Sequence, residues 1–79
     1  MGSFVGNGGV SVARGRVKWF NDTSGYGFIT PDGGGKDLFV RHTSVVGNES
    51  SLRAGDGVEY QWREGGMGLE AIDVLRTAG

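Results

Sequence analysis

The sequence predicts an all-β domain in which five short strands close into a small barrel. Glycine occurs 17 times and proline once in 79 residues, and each glycine in a helix interior costs about 1 kcal/mol relative to alanine. Runs typical of strands recur at short spacing, with no helical period between them. We expect closure because a barrel removes the strand edges that otherwise pair with other chains.

Turn residues separate the expected strands. Residues 31–35, Pro-Asp-Gly-Gly-Gly, favour a turn because proline presets one backbone dihedral and glycine allows positive φ. Residues 43–51 show no clean alternation and predict a long loop that could hold one helical turn. The predicted strands cover residues 14–21, 26–30, 37–41, 57–63 and 69–75.

The length allows one domain. We expect a flexible leader over residues 1–13, part of which could be an expression remnant, a domain over 14–76 and a short tail over 77–79. There is no cysteine and one histidine, which argues against disulfides and against a metal site. We therefore predict no cofactor and no metal.

No apolar stretch reaches the roughly 18 residues that a membrane span requires, and a signal-peptide pattern is absent. A cytoplasmic location is expected, or a nuclear or organellar one if the source is eukaryotic. The formal net charge is −1, but residues 1–42 carry five Lys/Arg against three Asp/Glu, so the first half is mildly basic. A negative net charge argues against a nucleic-acid partner. The basic first half weakens that argument.

The second strand has two unlike faces. A period of two places Tyr26 and Phe28 on one face and Gly27 and Ile29 on the other. Ile29 suits the interior of a barrel, which leaves the two aromatic rings directed to solvent.

The third strand repeats this arrangement. Leu38 and Val40 share the face that suits the core, and Phe39 and Arg41 share the opposite face. Grouped exposed rings usually mark a binding surface, and single-stranded nucleic acid offers a flat face on every base for stacking. The alternative is that the strand registers are slipped by one, so that the rings form the core and the aliphatic side chains are exposed.

Alternation leaves Trp19 undecided. It places Trp19 on the same face as Val17, so that both would be buried unless a β-bulge re-aims the tryptophan. In the fourth strand Val58, Tyr60 and Trp62 alternate with polar residues, which predicts that all three belong to the core.

Three motifs follow one another along the chain: Gly15-Arg16-Val17-Lys18-Trp19-Phe20-Asn21, Gly25-Tyr26-Gly27-Phe28-Ile29 and Asp37-Leu38-Phe39-Val40. In this order and at this spacing they resemble the cold-shock domain family, and the resemblance covers residues 14–75. It implies a five-stranded antiparallel β-barrel of the OB-fold type that binds single-stranded RNA or DNA with low sequence selectivity, often favouring pyrimidines.

The resemblance also implies which residues contact nucleic acid, and it places Trp19 on the exposed side of a bulge. Phe20 corresponds to a partly exposed aromatic that flanks the binding face, and Asp37 to an acidic position that accepts a hydrogen bond from a base edge. The full predicted set is Lys18, Trp19, Phe20, Tyr26, Phe28, Asp37, Phe39, Arg41 and His42.

This chain departs from the family pattern at three places. Ser24 stands where the family usually has lysine, which removes one phosphate contact. Arg41 stands where a stacking histidine is usual, and His42 follows where an aromatic or a glutamine is usual. The loop of residues 47–52 lacks an aromatic often found there, so we expect ordinary or slightly reduced affinity.

The leading hypothesis is a non-catalytic, monomeric single-strand binder that acts as an RNA chaperone or as a post-transcriptional or translational regulator. We expect no membrane partner and no small-molecule substrate. One alternative is a protein-interaction barrel that docks a partner on the same aromatic face. A small nuclease is a third hypothesis, but the sequence shows no metal-ligand or nucleophile pattern for it.

Overall fold

The computed structural model describes residues 12–47 and 52–77. Its five strands close into a barrel in the order β1-β2-β3-β5-β4, and a single 3-10 turn, His42–Ser44, follows β3. The predicted five-stranded all-β barrel is therefore confirmed, and no predicted strand end differs from the observed one by more than two residues. The strands are β1 (Ala13–Asn21), β2 (Tyr26–Pro31), β3 (Leu38–Arg41), β4 (Gly57–Gly65) and β5 (Gly68–Arg76).

Strand direction departs from the sequence prediction at one junction. The pairs β1–β2, β1–β4, β2–β3 and β4–β5 are antiparallel, whereas β3 and β5 are parallel, with Phe39 opposite Glu70. The barrel is antiparallel as predicted except at this junction, and the exception has a geometric reason. Directions cannot alternate all the way around a closed ring with an odd number of strands, so one neighbouring pair must run the same way.

β1 pairs with β2 along one edge and with β4 along the other, and Gly15 lies where the two pairings overlap. It pairs with Pro31 of β2 and with Val58 of β4. A Cβ atom at Gly15 would lie 2.5 Å from the carbonyl oxygen of Thr30, so a larger residue would force β1 and β2 apart.

The core confirms most of the expected pattern. Ile29, Leu38 and Val40 are buried as predicted, which rules out the register that would put the rings inside. The buried cluster is completed by side chains from all five strands and from the segment before β4. It consists of Val17, Ile29, Leu38, Val40, Leu52, Val58, Tyr60, Ala71 and Val74.

The fourth strand contains one wrong prediction. Val58 and Tyr60 are buried, but Trp62 is 53% exposed. Pairing between β1 and β4 ends where Ala13 faces Tyr60, while β4 continues to Gly65. Beyond Tyr60, β5 is the only strand among residues 12–47 and 52–77 that pairs with β4, and none of those residues covers Trp62 from the other side of the barrel.

The expected leader lies almost wholly outside the described residues, as do positions 48–51 of the long loop and 78–79 of the tail. Over the part of the chain that is described, no helix is long and apolar enough to cross a bilayer. The same residues contain no group of three or more histidine, cysteine or acidic side chains placed to hold a metal ion.

Candidate functional site

Four aromatic rings meet on the outer face of β1, β2 and β3, and we call them the ring cluster: Trp19, Tyr26, Phe28 and Phe39. Trp19 contacts Tyr26 and Phe28 with ring centroids 5.6 and 5.4 Å apart. Phe39 contacts the same two rings at 5.5 and 5.7 Å. All four contacts are tilted or edge-on, the geometry that aromatic pairs prefer. The cluster is therefore a packed surface whose members hold each other in place.

A β-bulge directs Trp19 into this cluster. Val17 pairs with Ile29 and Trp19 pairs with Phe28, so Lys18 is an extra residue between two consecutive positions of β2. A bulge shifts the alternation by one, and accordingly Val17 is 2% exposed while Trp19 is 40% exposed. The bulge and the exposed tryptophan implied by the resemblance are both present.

Gly27 allows β1 and β2 to approach closely beneath the rings. Gly27 lies between Tyr26 and Phe28 in the sequence and is buried. It pairs with Phe20 of β1. A Cβ atom at this position would collide with the carbonyl oxygen of Trp19 and lie 2.8 Å from Cα of Phe20. A larger side chain would separate the two strands that carry three of the four rings.

Phe39 occupies the predicted face but not the predicted environment. It lies outside the aliphatic core cluster, yet only 8% of it is exposed, so the expectation that it points at water is wrong. Tyr26 and Phe28 cover it from the neighbouring strand. Phe39 supports the exposed rings from below.

Phe20 lies apart from the ring cluster. Its side chain is half-buried and packs against the aliphatic core beside Gly27. The ring contacts described above do not include it, because strand alternation places it on the opposite face from Trp19.

Lys18 and Asp37 form an ion pair at the edge of the ring cluster. Nζ of Lys18 lies 2.9 Å from Oδ2 of Asp37, and the hydroxyl of Thr30 donates a hydrogen bond of 3.3 Å to Oδ1 of the same carboxylate. The bulge brings Lys18 to this carboxylate, which stands just before β3. Two predicted contact residues are thus paired with each other in the free protein.

Arg41 lies between an aromatic ring and a carboxylate. Its guanidinium carbon is 5.4 Å from the centroid of Phe39, within the range of a cation–π interaction. Its Nε lies 3.5 Å from Oε2 of Glu70 on β5. Glu70 has no local signal in the sequence, because its position beside Arg41 follows from the parallel pairing of β3 with β5.

His42 and Ser24 lie at the end of the barrel where β1 turns into β2. The backbone N–H of His42 donates to the carbonyl oxygen of Gly25 at 2.8 Å. A Cβ atom at Gly25 would lie 2.5 Å from Cδ2 of the His42 ring, so the exposed imidazole rests against this glycine, whose φ is 77°. The backbone N–H of Ser24 donates to Oδ1 of Asn21 at 3.0 Å.

The arrangement favours stacking over charge neutralisation. Trp19 and Tyr26 are exposed and Phe28 is half-exposed, so flat apolar faces are available to a ligand. The two cations beside the rings, Lys18 and Arg41, are each paired with a carboxylate. A planar ligand with modest charge fits this surface better than a densely charged one.

Comparison with known proteins agrees with this geometry. The family model described as "'Cold-shock' DNA-binding domain" matches residues 13–77. "Cold shock-like protein CspC" of Buchnera aphidicola is 45% identical over 63 residues, which cover 78% of this chain and 91% of the relative. "Glycine-rich protein 2" of Nicotiana sylvestris is 52% identical over 70 residues, which cover 85% of this chain and 32% of the tobacco protein.

A solved structure shares the fold. The chain titled "drosophila Unr CSD456" superposes with a TM-score of 0.74 at 21% sequence identity, covering 90% of this chain and 29% of the other. At this identity the match shows a common barrel and nothing about a common ligand.

Proposed function

Because this chain belongs to the cold-shock domain family, a family of nucleic-acid-binding domains that are not enzymes, we propose that it binds single-stranded RNA or DNA without catalysis. Bases stack on the ring cluster with low sequence selectivity and a preference for pyrimidine-rich strands. The selectivity is low because every base offers a π-face to an aromatic ring. The pyrimidine preference rests on the resemblance to the family.

The observation that carries the proposal is the outward display of Trp19, Tyr26 and Phe28 over a buried Phe39. Rings that are exposed together do not contribute apolar area to the core of a small domain. Soluble monomeric proteins rarely display such a grouped apolar patch unless it binds something. Base stacking on such rings contributes about 1–3 kcal/mol per base.

The charges favour a weak, reversible complex. Lys18 and Arg41 are already ion-paired, so each must exchange a carboxylate for a phosphate in order to contribute to binding. We therefore expect the affinity to fall only shallowly with salt, since the salt dependence scales with the number of phosphates neutralised.

A domain that holds unpaired bases loosely would trap melted RNA and release it again without hydrolysing a nucleotide. This supports a role as an RNA chaperone or as a post-transcriptional or translational regulator, acting as a monomer. We place this activity in the cytoplasm, or in the nucleus or an organelle if the source is eukaryotic.

Tryptophan fluorescence tests the proposal directly. The chain has two tryptophans, so the Trp62→Phe variant leaves Trp19 as the only tryptophan reporter. Titration with a pyrimidine strand of about four nucleotides should quench its emission, because a base stacks on the ring. The control is a hairpin duplex whose stem contains the same sequence and is long enough to stay paired, since its bases are already stacked.

Two results would count against the proposal. The first is the absence of quenching at micromolar strand and low salt. The second concerns chemical-shift mapping with the same strand. If the strand changes the chemical shifts of other residues and leaves those of Tyr26, Phe28 and Phe39 unchanged, the ring cluster does not hold the strand. That result would favour the alternative of a protein-interaction barrel that docks a partner through the ring cluster.

A further inference from the structure

We propose that the open end of the barrel beside Trp62 is a second nucleotide subsite, which takes a base and its phosphate from the strand that the ring cluster holds. This inference rests on the proposed function. The site, which we call the mouth groove, lies between the turn of residues 31–36, the start of β1 and the hairpin of β4 and β5. It encloses about 540 Å³ and is lined mainly by apolar surface, including Leu38, Tyr60, Trp62 and Leu69.

Trp62 supplies a stacking surface in the mouth groove. It is 53% exposed although it continues the stripe of buried side chains on β4. Its strand neighbour on β5 is Ala71, and Leu69 lines the same groove while staying half-buried. One face of a large indole is therefore open at a concave site, where a flat ligand can be covered on more than one side.

Tyr60 supplies a polar group at the same site. Its side chain is 2% exposed, and among the described residues its hydroxyl has no hydrogen-bond partner. Burial, and secondarily the negative charge of Asp32, raise the pKa of this hydroxyl, and Asp32 also lines the groove. A buried hydroxyl without a partner is unfavourable, so a ligand with polar edges would satisfy it.

Lys36 connects the mouth groove to the ring cluster. It lines the groove and makes no ion pair with any residue that the structure describes. The next residue, Asp37, is bonded to Lys18 at the edge of the ring cluster. A strand that crosses the cluster toward Lys18 therefore arrives at an unpaired ammonium group and then at the groove.

These features select a nucleotide over an apolar peptide. The indole face suits a base, the buried hydroxyl suits its polar edge and the ammonium suits its phosphate. An aliphatic side chain would fill the groove but would leave Tyr60 and Lys36 without partners. The mouth groove thus extends the binding path by about one nucleotide at the Lys18 end.

A strand-length series tests the proposal. Kd is measured for the wild-type chain with pyrimidine strands from about four to about ten nucleotides. We expect the affinity to rise in steps until the groove is filled. Trp62→Ala should remove the last step, at least about five-fold in Kd, which is the lower end of what one stacked base contributes. Lys36→Gln should reduce the salt dependence for the longer strands only.

Leu75→Ala is the matched control, because Leu75 is 48% exposed on β5 and does not line the groove. It should leave the whole series unchanged. Circular dichroism of each variant checks that the barrel remains folded. In the Trp19→Phe variant, emission from Trp62 should be quenched by long strands and unaffected by short ones.

The outcomes separate this proposal from the proposed function. If short strands bind and Trp62→Ala leaves the last step intact, the mouth groove is not a nucleotide subsite, while the ring cluster remains one. If wild-type chains associate and Trp62→Ala makes them monomeric, a second copy occupies the groove and the proposal is overturned. Failure of strands of every length to bind would overturn both.

Discussion

Arg41 and Glu70 form an ion pair across the one parallel junction of the barrel, with Nε of Arg41 3.5 Å from Oε2 of Glu70. Among the described residues, Glu70 is the one charged residue that is buried, with 8% of its surface exposed. Its partner Arg41 is largely exposed. The pair keeps the guanidinium above the ring of Phe39. Because Glu70 offsets its charge, Arg41 is better placed to stack on a base than to bind a phosphate.

Releasing Arg41 should change how binding depends on salt. In Glu70→Gln the arginine loses its counter-charge and becomes available to a phosphate. We expect tighter binding at low salt and a slope of log K against log salt that is steeper by about 0.7 for one additional phosphate contact on a single strand. Titrations of a pyrimidine strand at several salt concentrations measure this.

Glu64→Gln is the control for Glu70→Gln. It removes the same charge from an exposed position of β4 that lies outside both the ring cluster and the mouth groove. Equal slopes in the two variants would show that only net charge matters and that Arg41 gains no phosphate.

Trp19 and Phe39 should respond differently to truncation. Trp19→Ala removes an exposed ring and should weaken binding by about 1–3 kcal/mol with a small effect on stability. Phe39→Ala empties a buried site and should lower the free energy of unfolding by about 3–5 kcal/mol. Affinity should fall with it, because Tyr26 and Phe28 lose the ring that they pack on. Urea unfolding and strand titration measure the two effects.

Phe39→Leu shows whether Phe39 acts through packing. It keeps most of the volume, so the loss of stability should be below about 1.5 kcal/mol, and most of the affinity should return. Restored stability without restored affinity would show instead that Phe39 stacks on a base itself.

The positions of the strands could be predicted because alternation and turn residues are local. Ile29, Leu38 and Val40 face inward as the period of two requires. The bulge at Lys18 could not be derived this way, since one inserted residue inverts the pattern without leaving a mark in composition. The family resemblance supplied it.

The remaining differences come from tertiary contacts. Alternation places Phe39 on the outer face but does not show that Tyr26 and Phe28 cover it there. Trp62 follows the inward stripe, yet β1 ends its pairing with β4 at Tyr60 and leaves the tryptophan open. The meeting of Arg41 with Glu70 depends on which strands are neighbours, which a single sequence does not state.

Gly27 should be intolerant of any side chain. The added methyl group of Gly27→Ala would meet the backbone of Trp19 and Phe20 rather than a movable side chain, so β1 and β2 must shift apart. We expect the free energy of unfolding to fall by about 1–3 kcal/mol or more, together with weaker strand binding.

Gly33→Ala is the control for Gly27→Ala. A Cβ atom at Gly33 would have no atom within 4 Å, so its effect on stability should stay within about 1 kcal/mol. Similar losses in both variants would mean that the close approach at Gly27 does not limit the fold.

Tyr60 should make the barrel sensitive to alkali. Burial and the nearby charge of Asp32 raise the pKa of its hydroxyl above the ordinary value of 10.0. Between the unfolded and folded pKa values the folded chain keeps a proton that the unfolded chain has lost, so the free energy of unfolding falls as pH rises. The part of the free energy of unfolding that depends on a neutral Tyr60 is fully present below about pH 10 and is lost as pH rises through the folded pKa.

Tyr60→Phe removes the titrating group and should flatten that part of the decline. Urea unfolding of both proteins at about pH 8 and about pH 11 measures the difference. At the lower pH the variant should be at least as stable as the wild type, because the lost hydroxyl is buried and has no hydrogen-bond partner among the described residues. At the higher pH it should be the more stable of the two. A parallel loss in both proteins would place the alkaline sensitivity elsewhere. A large loss at pH 8 would show that the hydroxyl is hydrogen-bonded after all.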